Sequence, residues 1–199
     1  MSAIDLIRNP SGEARIPVPI HTQRLLLRPF EAADVQGITA LLADPETTRW
    51  IGGVKSAHDA AASVMRMKDS FRGRGWGTLA VIPQDSADCV GYCGVRPLAH
   101  TQEVEVAFAL SKAWWGRGLA IEASRACIEA TFKALPLDSV VATVYPENSR
   151  SIAVLKKLGM VEESRVFGVW PDSLALLFRL TRDDWARLNQ AAALCGLTE

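Results

Sequence analysis

The chain has 199 residues, 49% of them hydrophobic and 22% charged, ordinary globular usage that excludes a disordered chain, a collagen-like rod and a disulfide-dense miniprotein. At roughly 150 residues per domain, this length favours one compact domain, expected over 21–199 behind an irregular lead-in at 1–20. Twenty-two basic residues balance twenty-two acidic ones, so no net positive field draws the chain to nucleic acid or to an anionic membrane. No apolar stretch follows a basic start, and no run of about 18 apolar residues occurs, so a soluble, cytoplasmic protein is expected. Cys89, Cys93, Cys127 and Cys195 are too widely spaced for a paired C-x-x-C framework and read as reduced thiols. Cys89 and Cys93, with His100 as the nearest histidine, lack a second ligand pair, so no metal is expected.

In chain order, 24–29 (RLLLRP) is a short apolar run between charges and reads as a strand. Residues 32–44 place Val35, Ile38, Leu41 and Leu42 at helical spacing, and 57–71 do the same with Ala61, Val64, Met65 and Phe71, predicting two amphipathic helices. RGRGW at 72–76 is basic and glycine-rich, and is expected to be a mobile turn. Runs at 77–82, 90–96 and 103–110, separated by PQDSAD and PLAHTQ, predict an antiparallel meander. Residues 116–134 have the composition and period of a long helix, stopped before Pro136. A strand at 139–145, a short helix at 149–158 closed by Gly159, strands at 161–169 and 174–180, and a helix at 182–194 behind a Thr181 cap complete the chain. A long helix between strands, joined to a run of hairpins, predicts an α+β (mixed α/β) domain rather than a fully parallel doubly wound sheet.

The chemistry gathers at 104–123, where a strand meets a tight glycine turn and a helix begins. Gly116 and Gly118 let the backbone bend and approach a ligand, and the first free amides of the helix point outward at its positive dipole end. Such an end suits a phosphate, and Arg117 adds a cation within the turn. A plain helix start with packing glycines is the alternative. A Walker A loop is excluded because no Lys-Ser or Lys-Thr follows, and a dinucleotide fingerprint fails because Ile121 holds its third glycine position.

The block W-W-G-R-G-L-A-I-E-A at 114–123 resembles the acyl-CoA loop of the GNAT superfamily of N-acetyltransferases. That family's pattern, Gln/Arg-x-x-Gly-x-Gly/Ala, falls on Trp115, Gly116, Arg117, Gly118, Leu119 and Ala120, with Trp in place of Gln or Arg. The Trp-Gly variant is similar to the branch containing the ribosomal-protein N-terminal (alanine/serine) acetyltransferases. HTQRLLLRPFEAAD at 21–34 resembles that branch's opening strand and helix, and PENSRSIAVLKKLGM at 146–160 its second cofactor motif. The resemblance covers about 21–185 and implies a central, mostly antiparallel twisted sheet of about seven strands flanked by helices.

It further implies that acetyl-CoA is the co-substrate, its pyrophosphate on the amides of Arg117 through Ile121. The pantetheine arm is implied to lie along a bulged strand at Phe108 and Leu110, with Asn148 bonded to it while also capping the following helix. The reaction needs a neutral amine and a donor for the departing thiolate. The tyrosine that many members use as that acid is replaced here by Leu155, and the resemblance points to Ser151 instead. Glu105 matches a commonly acidic position and is the candidate base, with Glu103 on the same strand face, Asp172 as a looser match, and bulk proton exchange as a further route. Trp50, Trp76, Trp170, Phe71 and Phe167 flank loops and are candidates for an acceptor pocket or for core. Acceptor selection is expected from about 44–75.

The expected function is direct acetyl transfer to a primary amine, first a protein or peptide N-terminus, with Cys127 as packing rather than nucleophile. The alternatives are a small-molecule amine as acceptor (polyamine, aminoglycoside-like antibiotic or amino acid) and a non-catalytic acyl-CoA-binding module. No nucleic-acid or membrane partner is expected. The chain is expected as a monomer or homodimer, because the last helix, with Trp185 and Leu188, can pack on its own sheet or on a partner.

Overall fold

Residues 15–99, 101–167 and 173–194 are described by the computed structural model. In chain order they form β1 (Ile20–His21), β2 (Leu25–Arg28), α1 (Asp34–Ala43), α2 (Pro45–Thr48), α3 (Ala57–Arg74), β3 (Thr78–Pro83), β4 (Gly91–Pro97) and β5 (Val104–Leu110). A 3-10 turn (Lys112–Trp114) leads to α4 (Leu119–Ala134), β6 (Ser139–Val144), α5 (Ser149–Lys157), β7 (Val161–Phe167), β8 (Leu174–Thr181) and α6 (Arg182–Leu194). The strands join one sheet in the order β1-β2-β3-β4-β5-β6-β8-β7. It has eight strands rather than about seven, because Ile20, the last residue of the lead-in read as irregular, and the adjoining His21 pair with Leu27 and Leu26. Ile16 extends this order: it is buried, and its N–H donates to Gly75 O at 2.9 Å.

Every pairing is antiparallel except β5–β6, which the long α4 crossover makes parallel. That pairing holds at a single position, Glu105 opposite Val141, and the two strands then part. The implied bulge in β5 is absent on its β4 side, where the register from Gly91–Leu110 to Pro97–Val104 is continuous. The irregularity lies instead in β7, between Glu162 and Ser164.

Helix α4 starts three residues later than its composition suggests, because Gly116 and Gly118 adopt φ of +74° and +77° and form the turn before it. Its buried face, Leu119, Ala123, Cys127, Ile128 and Phe132, follows the helical period and packs on β4 and β5. At its C-terminus the guanidinium of Arg182 donates to the carbonyl oxygen of Phe132 in the last turn at 2.5 Å, an acceptor that a helix end leaves free, and to those of Leu135 at 2.8 Å and Leu137 at 2.9 Å just beyond it. Helix α6 is capped by Thr181, whose Oγ1 accepts from Asp184 N at 3.1 Å. Trp185 on α6 is buried against Phe132, so this helix packs on its own sheet layer, while Leu188 remains partly exposed. Gly159 closes α5 at φ +83°, where a Cβ would also stand 2.2 Å from Leu188 Cδ1.

The other sheet face is covered by α1 and α3, which bury Ile38, Leu41, Leu42, Ala60 and Val64 against Ala80 and Ile82. RGRGW is not the mobile turn that its glycines suggest: Arg72 and Arg74 end α3, Gly75 is its left-handed cap, and Trp76 is buried in the core. Phe71 is likewise core.

The entry into α1 is fixed by Asp34, which is 2% exposed. Its carboxylate accepts from Arg28 Nη1 at 2.7 Å, from Arg28 Nη2 at 2.9 Å and from Glu31 N at 2.7 Å. Truncation would leave a guanidinium and an amide without their acceptor. Asp34→Ala is expected to cost about 2–3 kcal/mol of stability, read as a lower urea midpoint at unchanged slope; an unaltered midpoint would contradict this.

Candidate active site

Where β5 and β6 part, a cleft of about 180 Å3 opens, lined by Glu105 to Phe108 on one strand and by Ala142 to Tyr145 on the other. Asn148, Ser151 and Leu155 of α5 close one side, and Tyr92, Arg96 and the Trp50–Gly52 loop the other. The Trp50 ring lies 5.6 Å from that of Tyr145, bridging the loop after α2 to the end of β6. Of the five aromatics considered for a pocket, Trp50 lines the cleft, Trp76 and Phe71 are core, and Phe167 is exposed. Trp170 and Asp172 lie outside the described residues.

Glu105 is not a solvent-facing strand charge. It is 3% exposed, and its carboxylate accepts from Arg96 Nε at 2.8 Å, from Thr143 N at 3.2 Å and from the Thr143 hydroxyl. The cause is register: Arg96 is its cross-strand partner on β4, and cross-strand partners share a face. Glu103, two residues earlier on the same face, is engaged elsewhere: its Oε1 accepts from Arg179 Nη2 at 2.8 Å, and Arg179 also donates to Glu163 and Ser139. Of the two acids, Glu105 is the one in the cleft.

Ser151 stands in the first turn of α5, its N–H donating to Asn148 Oδ1 at 3.2 Å, so Asn148 is the helix cap as well as a cleft residue. Leu155, one turn on, is 2% exposed and belongs to the core. Sequence reasoning passed over Tyr92, Tyr145, Arg96 and Thr143. The spacing of Tyr92 and Arg96, four residues apart on one strand and therefore on one face, was a usable signal. Burial pushes the Tyr92 phenol above its ordinary value, so it keeps its proton.

Past the mouth of the cleft lies the glycine turn. The amides of Gly116, Arg117, Gly118, Leu119 and Ala120 have no backbone acceptor among the described residues; intrahelical bonding begins with Ile121 and Glu122 donating to Gly118 O at 3.1 Å each. A Cβ built on Gly116 meets nothing within 4 Å, and one on Gly118 meets only Arg24 Nη2 at 3.6 Å. Free amides at the positive end of a sixteen-residue helix, open to approach, fit a pyrophosphate. Cations surround them: Arg117 lies 4.9 Å over the Trp114 ring and Arg150 4.7 Å over that of Trp115. The Trp115 indole N–H donates to Leu110 O at 2.6 Å, tying the turn to the end of β5. Phe108 packs partly buried against both the α4–α6 core and the β2–β4 core.

Cys89, Cys93 and Cys127 are free and buried, and Cys195 lies outside the described residues, as does His100. The described residues hold no cluster of metal-ligating side chains. None of their helices is long and apolar enough to cross a membrane.

Free amides that suit a phosphate, beside a cleft holding a buried carboxylate and several hydroxyls, are the kind of site that acyl transfer needs. The acetyltransferase (GNAT) domain family matches residues 24–161, and the chain belongs to that family as an acetyl-CoA-dependent N-acetyltransferase. It is 32% identical over 145 residues to the N-acetyltransferase YnaD of Bacillus subtilis, covering 72% of this chain and 83% of that one. An acetyltransferase from Agrobacterium tumefaciens superposes with a TM-score of 0.72 at 27% identity, over 83% of this chain and 96% of the other. RimL, a ribosomal L7/L12 α-N-protein acetyltransferase solved in complex with coenzyme A, shares the fold at a TM-score of 0.67 and 14% identity, over 85% and 98% of the two chains.

Proposed function

We propose that the chain acetylates the N-terminal amine of a protein or peptide, by direct transfer within a ternary complex. The observation that carries this reading is the character of the sheet face beyond the cleft. The apolar cluster under α1 and α3 extends along the sheet only to Ala109 of β5. Further out, register puts Arg96, Glu105, Ser139, Thr143 and Arg179 on that same face, a largely polar strip around the buried Val141. An extended peptide can lie along such a strip with its terminus at Glu105, whereas a small amine would use only the cleft. The names of ribosomal-protein acetyltransferases among the structural neighbours favour the same acceptor.

Bound acetyl-CoA supplies the activated thioester. The amides of Arg117 to Ala120 hold its pyrophosphate, that of Ile121 being taken by Gly118 O; Phe108 and Leu110 offer backbone groups to the pantetheine arm, and Asn148 adds a side-chain bond. Glu105 takes a proton from the acceptor ammonium, directly or through water, and Ser151 donates to the departing thiolate. Asp172 and water are the further candidates for the base; Glu103, held by Arg179 away from the cleft, is not.

A panel of peptides with free N-termini, polyamines, amino acids and aminoglycosides, followed by thiol release, tests the acceptor. Turnover of peptides at the highest kcat/KM is expected; turnover confined to small amines would overturn the peptide reading. Ser151→Ala is expected to leave coenzyme A affinity within about twofold and to lower kcat by about 10–100-fold, the range for losing one proton donor. An unchanged kcat would remove Ser151 from the reaction and leave Tyr92 as a protonated hydroxyl in the same cleft.

A further inference from the structure

The chain just before β2 grips the glycine turn from behind. Glu122 lies in the first turn of α4, beside the free amides, and its side chain is largely buried. Its Oε1 accepts from Thr22 Oγ1 at 2.6 Å and from Arg24 N at 2.8 Å, and its Oε2 from Arg24 Nε at 2.7 Å. Burial opposes the charge on Glu122, but the bonds from Thr22 and Arg24 outweigh it and hold its carboxyl below the ordinary carboxylate value. A carboxylate in the first turn suits the helix dipole yet repels an anionic ligand bound to the same amides.

Nη2 of Arg24 is also paired with Glu122 Oε2, at 2.5 Å, and Nη1 is the arm left to face the turn. Nη1 donates to Arg117 O at 2.9 Å, and Nη2 stands 3.6 Å from the position of a Gly118 Cβ. In a trans peptide the C=O and the next N–H point in opposite directions. Holding Arg117 O against Arg24 therefore turns the Gly118 N–H away from Arg24, to the side open for a ligand. We propose that Arg24 is a positioning residue for acyl-CoA, fixing the Arg117–Gly118 peptide with its amide toward the pyrophosphate and cancelling the charge of Glu122 beside it. This inference rests on reading 116–121 as the cofactor loop.

The test is calorimetry of coenzyme A binding to the full chain, as wild type, Arg24→Met, Arg24→Lys, Glu122→Gln and the Arg24→Met/Glu122→Gln double variant. Arg24→Met is expected to weaken binding about tenfold or more, the scale of one lost charge-assisted bond. Arg24→Lys, which keeps the charge but cannot span the carboxylate and the carbonyl together, is expected between wild type and Arg24→Met. Removing Glu122 in the Arg24→Met background is expected to recover part of the loss, because the uncompensated carboxylate is then gone. Saturating acetyl-CoA is expected to restore kcat to within about twofold, so the defect appears in KM. Wild-type binding with Arg24→Met and Arg24→Lys unchanged would overturn the positioning role. A double variant no better than Arg24→Met would overturn charge cancellation and leave the grip on the Arg117 carbonyl as the whole of the effect. Failure of the wild type itself to bind coenzyme A would instead overturn the cofactor-loop reading.

Discussion

Gly118→Val is expected to abolish coenzyme A binding, with affinity falling by about 100-fold or more, while the sheet and helices remain folded. Two effects combine. Gly118 sits at φ +77°, a left-handed conformation that costs a β-branched residue about 1–3 kcal/mol, so the turn would relax away from the geometry that turns its amides outward. A side chain there would also project toward Arg24 Nη2, 3.6 Å from the new Cβ, and push the guanidinium off the Arg117 carbonyl that it holds. Gly118→Ala separates these effects, since it keeps most of the strain and adds little bulk; an intermediate loss is expected. Calorimetry reads the affinity and circular dichroism the fold. Wild-type affinity in the valine variant would show that the phosphates bind elsewhere.

For Glu105→Gln the expected result is a fall in kcat of about 100–1000-fold, with the KM for acetyl-CoA nearly unchanged. The amide keeps the shape of the carboxylate and one oxygen for Thr143, but it cannot take a proton. The fold is expected to survive, because Arg96, the partner left uncompensated, has a side chain about half exposed and water can screen its charge. The cofactor loop lies past the far end of β5, which is why binding and turnover should separate. Steady-state kinetics at saturating acetyl-CoA checks this. Unchanged kcat would transfer the role of base to Asp172 or water.

These two positions also differ in how visible they were in the chain. The Gly118 turn was legible because a local rule governs it: glycines between a strand and a helix leave amides free whatever packs around them. Helices at 57–71, 149–158 and 182–194 and the meander at 77–110 were legible for the same reason, since periods of 3.6 and 2 residues report a buried face directly. Thr181 and Asn148 followed from the chemistry of caps.

Glu105 was visible only as an acid on a strand. Whether it faced water or a cleft depended on Arg96 across β4 and on Thr143, contacts set by register and by a parallel pairing that lasts one residue pair. Trp76 and Phe71 were ambiguous for a related reason, because an aromatic beside a glycine-rich segment can cap a pocket or fill the core, and only tertiary packing decided it, placing Trp76 in the core with Val95, Val104 and Phe132 and Phe71 with Leu25, Leu27 and Leu79. The same packing turned RGRGW into a helix end. The grip of Thr22 and Arg24 on Glu122 joins residues about 100 positions apart, a distance at which no periodicity speaks. The sequence by itself determined the class of fold, the cofactor turn and the chemical types available, since these follow from short-range backbone rules. Tertiary structure decided which acid entered the cleft, which aromatic lined it and what held the turn, since those outcomes depend on strands and helices that meet only once the sheet has closed.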